Sequence, residues 1–259
     1  MRRVLFGDRK IGFGFGGIEE GAFKRSFDGT VIDGVDKIEE NVLLDDLCVS
    51  GRAVFLGEVD ADRVVIPGSA EFREFTTCDD FHVSGSALVK GEFVCESLVV
   101  QGEARTLDTL HSDLIIVEGY LKSSRKVKTI NLNVDGTFEC SGRVFADEIK
   151  TGGRLLALGE MKCFELDIES GKESIVGRLQ ADTLRVKNSL PSETEYVLNC
   201  DYADCGTVDI EYAKIDCLRC DQCRIGKGCV IGKLDCREEA EISPDAVVEQ
   251  YEGKKTEVL

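Results

Sequence analysis

Cysteine is the residue type in this sequence that could most readily do chemistry, and its densest run is DCLRCDQC, residues 216 to 223. Cys217, Cys220 and Cys223 stand there at C-x-x-C-x-x-C spacing, and Cys229 and Cys236 follow closely. Thiolates at such spacing are typical ligands of zinc or of an iron–sulfur cluster. A metal site at Cys217, Cys220 and Cys223 is one hypothesis, and cysteine as a small core residue is the other.

The composition and charge of the chain indicate its cellular location and the partners that it does not bind. The chain has 259 residues, of which 31% are charged, and a net charge of -17, which repels nucleic-acid phosphates. The N-terminal MRRVLFGDRK lacks the apolar run of a signal peptide, and no segment approaches the roughly 18 apolar residues of a membrane-spanning helix. The sequence therefore predicts a cytoplasmic protein with reduced thiols and no nucleic-acid partner.

Glycine recurs every 17 residues, and this repeat predicts the fold. The repeated glycines are Gly34, Gly51, Gly68, Gly85, Gly102, Gly119, Gly136 and Gly153. Three pairs of apolar or small residues follow each glycine, and in the second unit they are Ala53 and Phe55, Val59 and Ala61, and Val64 and Ile66. Spacing by two places both members of a pair on one side of a strand. Three short strands per unit predict an all-β protein, a triangular parallel β-helix with rungs of about 17 residues.

The repeat divides the chain into five predicted segments. Residues 1 to 33 form a glycine-rich lead, 34 to 188 the regular rungs, 189 to 197 an inserted loop, 198 to 248 tighter cysteine-rich rungs, and 249 to 259 a polar tail. Most cysteines of the tighter rungs fall on inward positions: Cys200, Cys205, Cys220, Cys223, Cys229 and Cys236. Because a corner separates Cys220 from Cys223, core packing is favoured, and neither a metal nor another cofactor is expected.

Acyl transfer is the alternative chemistry. IGKGCVIGK, residues 225 to 233, looks like the hexapeptide repeat of left-handed β-helix acyltransferases, which use a histidine base. The chain offers only His82 and His111, and the repeat places both on outward positions far from that stretch. The lead also contains G-x-G-x-x-G at Gly12, Gly14 and Gly17, but no strand and helix are predicted around it. We therefore expect no enzyme activity.

The repeating units resemble those of the bactofilins, the polymer-forming cytoskeletal proteins. GRAVFLGEVDADRVVIP and GSALVKGEFVCESLVVQ are two such units, and the resemblance covers about residues 34 to 250. The C-terminal run from VDIEYAKIDC to EISPDAVV and the lead GFGFGGIEEGAF are similar to the longer firmicute-type members. The family has no catalytic residues to carry over. Its membrane contact uses a short apolar N-terminal tail, of which MRRVLFGD is a poor version, so membrane contact is left open.

This resemblance implies a right-handed β-helix that joins end to end into filaments without nucleotide. It also implies a cytoplasmic, membrane-proximal scaffold that organises cell shape or the envelope, or positions other proteins. The partners would be further copies of the chain and envelope or cell-shape proteins.

Open strand edges at the ends of a β-helix favour self-association whatever the family. The predicted polymerisation interface consists of inward residues of the terminal rungs, Ile38, Leu44 and Ile242. A lateral apolar strip of outward residues is a second predicted association surface: Val65, Val99, Leu114 and Ile116. A monomeric solenoid that presents a surface to a protein partner is the remaining alternative.

Overall fold

A parallel β-solenoid is the architecture of the computed structural model, which describes residues 29–188 and 195–253 and the backbone of 257–258. Within these residues every regular element is a β-strand, and 23 parallel strands stack into about 13 turns. The prediction of an all-β parallel β-helix with rungs of about 17 residues is confirmed. Its right-handed sense of coiling stays a prediction. The glycine-rich motif at Gly12, Gly14 and Gly17 lies outside the described residues.

The regular turns contain short strands that alternate between four and eight residues over most of their length. They are β1 (Thr30–Ile32), β2 (Val35–Ile38), β3 (Val42–Val49), β4 (Arg52–Phe55), β5 (Val59–Ile66), β6 (Ser69–Phe72), β7 (Thr76–Val83), β8 (Ser86–Val89), β9 (Phe93–Val100), β10 (Glu103–Thr106), β11 (Leu110–Val117), β12 (Tyr120–Ser123), β13 (Val127–Val134), β14 (Thr137–Cys140), β15 (Val144–Phe145) and β16 (Glu148–Thr151). Longer strands that continue around corners follow. They are β17 (Arg154–Glu169), β18 (Ser174–Lys187), β19 (Leu198–Ile210), β20 (Ala213–Ile225), β21 (Val230–Ile242), β22 (Val247–Gly253) and β23 (Glu257–Val258).

Each turn has three faces, because the alternation of buried and outward residues is interrupted three times per rung. Along β5, Val59 and Ala61 point inward, two outward residues form a corner, and Val64 and Ile66 point inward again. The next inward pair, on β6, follows after three outward residues. The three predicted pairs per rung therefore form the three inner walls of the solenoid.

The offset, which is the difference in residue number between paired residues of consecutive turns, changes along the chain. It is 17 residues between Ala53 and Ala70, 24 between Ser174 and Leu198, and 15 between Leu198 and Ala213. The long offset places the extra chain between β18 and β19, where the inserted loop is predicted. The next turn is tighter because each of its corners has only two residues. The offset returns to 17 between Val230 and Val247.

The core stays filled because adjacent inward columns change size in opposite directions. One column reads Ala53, Ala70, Ala87, Ala104, Leu121, Phe138 and Leu155. The column two residues further on reads Phe55, Phe72, Val89, Thr106, Ser123, Cys140 and Ala157. Where the first column enlarges, the second shrinks, which keeps the interior close-packed along its length.

Thr106 is expected to be a weak point of this core. Its hydroxyl oxygen is buried and has no hydrogen-bond partner among the described residues, and Val89 fills the same column one turn earlier. Thr106→Val should raise the free energy of unfolding, measured in urea, by about 1 kcal/mol, because it removes an unpaired buried hydroxyl. Ser112→Val should instead lower it, because Ser112 Oγ donates to two backbone carbonyls. A less stable Thr106→Val protein would contradict this explanation.

Candidate functional site

Eleven of the twelve cysteines are buried, and all twelve are free thiols. Several of them occupy the last inward position before a corner. On β11 the same position is occupied by Ser112. The hydroxyl of Ser112 lies within hydrogen-bond distance of two carbonyl oxygens, that of Leu114 in its own corner at 2.8 Å and that of Glu96 in the preceding turn at 3.2 Å. Cys236 Sγ makes the equivalent contacts with the carbonyls of Asp221 and Glu239, at 3.3 and 3.1 Å. Burial of the predicted inward cysteines is therefore confirmed, and the thiols of Cys200, Cys229 and Cys236 also donate to backbone carbonyls.

Three of these thiols form a cluster, consisting of Cys220, Cys223 and Cys236. Their sulfur atoms all lie within 4.8 Å of one another, and all three side chains are buried. Cys236 is the ladder partner of Cys220 one turn later. Cys223 is the next inward residue after the corner that follows Cys220. The expectation that this corner keeps Cys220 and Cys223 apart is wrong, because inward side chains on either side of a corner converge inside it.

Cys217 does not belong to this thiol cluster. It is partly exposed and pairs in register with Tyr202 and Lys233, on the outside of the solenoid. The structure therefore brings together Cys220 and Cys223 from the spacing motif, and Cys236 takes the third position. The signal that could have identified Cys236 is the offset of one turn from Cys220, which the C-x-x-C-x-x-C spacing does not contain.

Two of the three cluster thiols, Cys220 and Cys236, have a raised pKa. The pKa of Cys220 lies well above its ordinary value, because its thiol is hydrogen-bonded with Cys223 and is removed from water. Burial likewise raises the pKa of Cys236. A nucleophilic cysteine needs a lowered pKa and access to solvent. Burial and a raised pKa therefore make Cys220 and Cys236 poor nucleophiles.

The two histidines lie on different outward columns. His82 follows Val65 and precedes Val99 in its column, and its ring lies 2.9 Å from the side-chain oxygen of Gln101. His111 belongs to another column, on β11, one position along from Leu110. The hexapeptide-like stretch lies in the C-terminal turns on β20 and β21. The structure therefore does not bring either histidine to the predicted alternative site.

The N-terminal turn leaves part of its apolar interior open. Val42 and Leu44 are only partly buried, whereas Val59 and Ala61, next in the same columns, are 1% and 3% exposed. Within the described residues β2 pairs with β4 alone, so its outer edge carries no neighbouring strand. Val35 on β2 is 82% exposed. Ile38 and Leu44 both belong to this turn, as the polymerisation prediction assumes.

The C-terminal turn differs from that prediction. Ile242 pairs with Val258 of β23, so one further strand lies beyond it. The inward residues of the last turn are Val248 and Tyr251, which pack against the core and pair with residues of β21. The C-terminal edge therefore consists of β22 and β23, and Val248 and Tyr251 are the residues there that the sequence reasoning missed.

The lateral apolar strip lies on the outside of the solenoid. Val65, Val99 and Ile116 share one outward column, in which His82 interrupts the apolar series, and Leu114 lies in a neighbouring column. All four apolar side chains are partly covered. More exposed apolar side chains occur on β17, where Leu158 and Phe164 are 55% and 62% exposed. Lateral association through the strip stays a prediction.

No protein-family model, curated protein or solved structure matches this chain. Among the described residues there is no helix of the length and apolarity that crossing a membrane requires. The class that the fold and site define is a parallel β-solenoid with partly exposed apolar side chains in its first described turn and a buried cluster of three thiols. The likeness to bactofilins rests on the sequence units alone.

Proposed function

We propose that this chain is a non-enzymatic scaffold that assembles end to end into filaments without nucleotide. The observation that carries the proposal is the first described turn, where inward apolar side chains are partly exposed and β2 has a neighbouring strand on one side only among the described residues. An unpaired edge is a template for a further strand, and capped solenoids close it. A second copy of the chain supplies strands of the same kind.

Stacking of a second copy would complete the burial of the terminal side chains. Val42 and Leu44 would then be covered on both sides, as Val59 and Ala61 are within the solenoid. Full burial of one valine or leucine side chain contributes about 1.5–3 kcal/mol. Added ladder hydrogen bonds would satisfy the N–H and C=O groups of the open edge. The favourable contribution therefore comes from the same contacts that hold consecutive turns together.

The cellular role that follows is structural. A nucleotide-independent filament in the cytoplasm can organise cell shape or the envelope and can position other proteins along its length. The resemblance to bactofilins supports this role and a membrane-proximal location. Envelope or cell-shape proteins are the partners that such a scaffold would recruit.

Negative-stain electron microscopy of the purified, tag-free protein tests the proposal. Without nucleotide and with a chelator present, we expect thin, unbranched filaments one solenoid wide. Leu44→Lys should abolish or shorten them, because the partly exposed lysine can reach water in a single chain but would be buried by stacking. Leu158→Lys is the matched control, since Leu158 is 55% exposed on an outward face. It should leave filament length unchanged.

Three results would contradict the proposal. Uniform small particles of the unaltered protein at every salt concentration would mean that the ends are closed and that the chain is a monomeric solenoid. Thermal stabilisation by acyl-CoA would favour the acyltransferase alternative. Filaments of normal length from Leu44→Lys would exclude this N-terminal edge as the contact.

A further inference from the structure

We propose that Cys220, Cys223 and Cys236 form a binding site for one soft monovalent metal ion, Cu(I). This inference is independent of filament formation, since the three residues lie within the solenoid and at neither open edge. The site would use side chains from two consecutive turns, β20 and β21. Bound metal would therefore link the two turns near the C-terminal end.

The sulfur positions fit a three-coordinate ion. All three sulfurs lie within 4.8 Å of one another. Metal–sulfur bonds of about 2.3 Å require sulfur atoms about 4 Å apart in a trigonal arrangement. Small rotations of the three side chains are enough to reach that spacing.

The packing of this corner also differs from that of the earlier turns. In several other turns a small residue faces a large aliphatic one across the corner, as in the pairs Ser112 and Ile115, Thr129 and Leu132, and Ala181 and Leu184. In β20 the pair is Cys220 and Cys223, and in β21 it is Cys236 and Ala240. The large aliphatic side chain is therefore absent from two consecutive turns. Thiols therefore line this corner where other turns place a large apolar side chain.

The backbone beside the cluster is irregular. Cys220 pairs with Cys236, but Gln222 pairs with Glu239, so the later strand contains one extra residue at this corner. Bulges of this kind are over-represented next to functional sites. A shallow groove lined by Gln222, Cys223 and Glu239 lies on this side of the solenoid.

The ligand set favours Cu(I) over zinc. Structural zinc sites are almost always four-coordinate, whereas the group found among the described residues has three ligands. Soft thiolates select Cu(I), which accepts three-coordination. Each thiol that binds releases its proton, a sulfur–metal bond forms in its place, and the oxidation state of copper does not change.

The test is an anaerobic titration of the full chain with Cu(I) in competition with the chelator bicinchoninate. We expect one tightly bound ion per chain, with three sulfur ligands by X-ray absorption spectroscopy. Cys236→Ser should weaken binding about 100-fold or more, because a ligand is lost. Serine retains a donor for the corner carbonyls, as Ser112 does in its own turn. Cys223→Val should act similarly, and Val208 precedes it in the same column.

The matched control is Cys78→Ser with Cys95→Ser. These two buried thiols are also ladder partners in consecutive turns, but Phe81 and Leu98 stand across their corner. The tight site should be unchanged in this double variant, and circular dichroism would verify that all variants keep the fold. Equal affinity in Cys236→Ser and the unaltered chain would overturn the site. Displacement of Cu(I) from the three-thiol site by Zn(II) would overturn the choice of ion.

Discussion

Gly102→Ala is expected to destabilise the solenoid by about 3 kcal/mol or more. A Cβ atom at Gly102 would lie 2.1 Å from the carbonyl oxygen of Gly85 and 2.4 Å from that of Ser84. Both oxygens belong to the backbone of the preceding turn, and the Gly85 oxygen accepts the N–H of Glu103 at 2.9 Å. Relief of the overlap must therefore separate two turns and weaken their hydrogen bonds. Urea unfolding monitored by circular dichroism measures the loss.

Gly34→Ala is the matched control for this prediction. Gly34 holds the equivalent position in the first described turn, but an added Cβ there meets no atom of the described residues within 4 Å. Alanine should leave stability unchanged or raise it by about 0.4–1 kcal/mol, because it restricts the unfolded chain. An equal loss at Gly34 and Gly102 would mean that glycine is required for its own backbone conformation rather than for the close approach of turns.

Phe72→Ala should be the most damaging truncation in the aromatic part of the core, with a cost of about 3–5 kcal/mol. The ring of Phe72 is fully buried, stacks on Phe55 at 4.8 Å and meets Phe81 edge-on at 5.6 Å. Removal of the ring leaves a cavity between turns and ends both aromatic contacts. Urea unfolding again provides the measurement.

Phe164→Ala removes the same ring from an exposed site. Phe164 is 62% exposed on β17, so its truncation should change stability by no more than about 0.5 kcal/mol. Phe72→Val should fall between the two, since Val89 fills the same column in the next turn. Comparable losses for Phe72→Ala and Phe164→Ala would show that the aromatic stack contributes little to the core.

The architecture could be predicted from the sequence because it depends on a repeat. Gly51 and Gly68 set the period, and the pairs between them, such as Val64 and Ile66, assign one side of each strand to the interior. Both features are local, since alternation by two is a property of a single strand. The structure confirms the inward positions of these residues.

The thiol cluster could be predicted only in part. The spacing motif contains Cys220 and Cys223, but it also includes Cys217, which lies outside the solenoid wall. Cys236 joins the cluster through an offset of 16 residues, which differs from the regular 17 and from the 15 of the preceding turn. That offset depends on the lengths of three corners, and the sequence pattern leaves these ambiguous.

For the repeated glycines, too, the sequence determined one part of the answer, their period, and only the structure showed the other part, its physical cause. Their period by itself determined that the same corner of each regular turn carries a glycine. Among the described glycines only Gly228 has a positive φ, of 69°, so backbone conformation is not the reason for the repeat. The reason is the carbonyl of the preceding turn, about 2 Å from where a Cβ would lie at Gly85 or Gly102. Local alternation determines which residues point inward, and only the stacking of turns decides which atoms they meet.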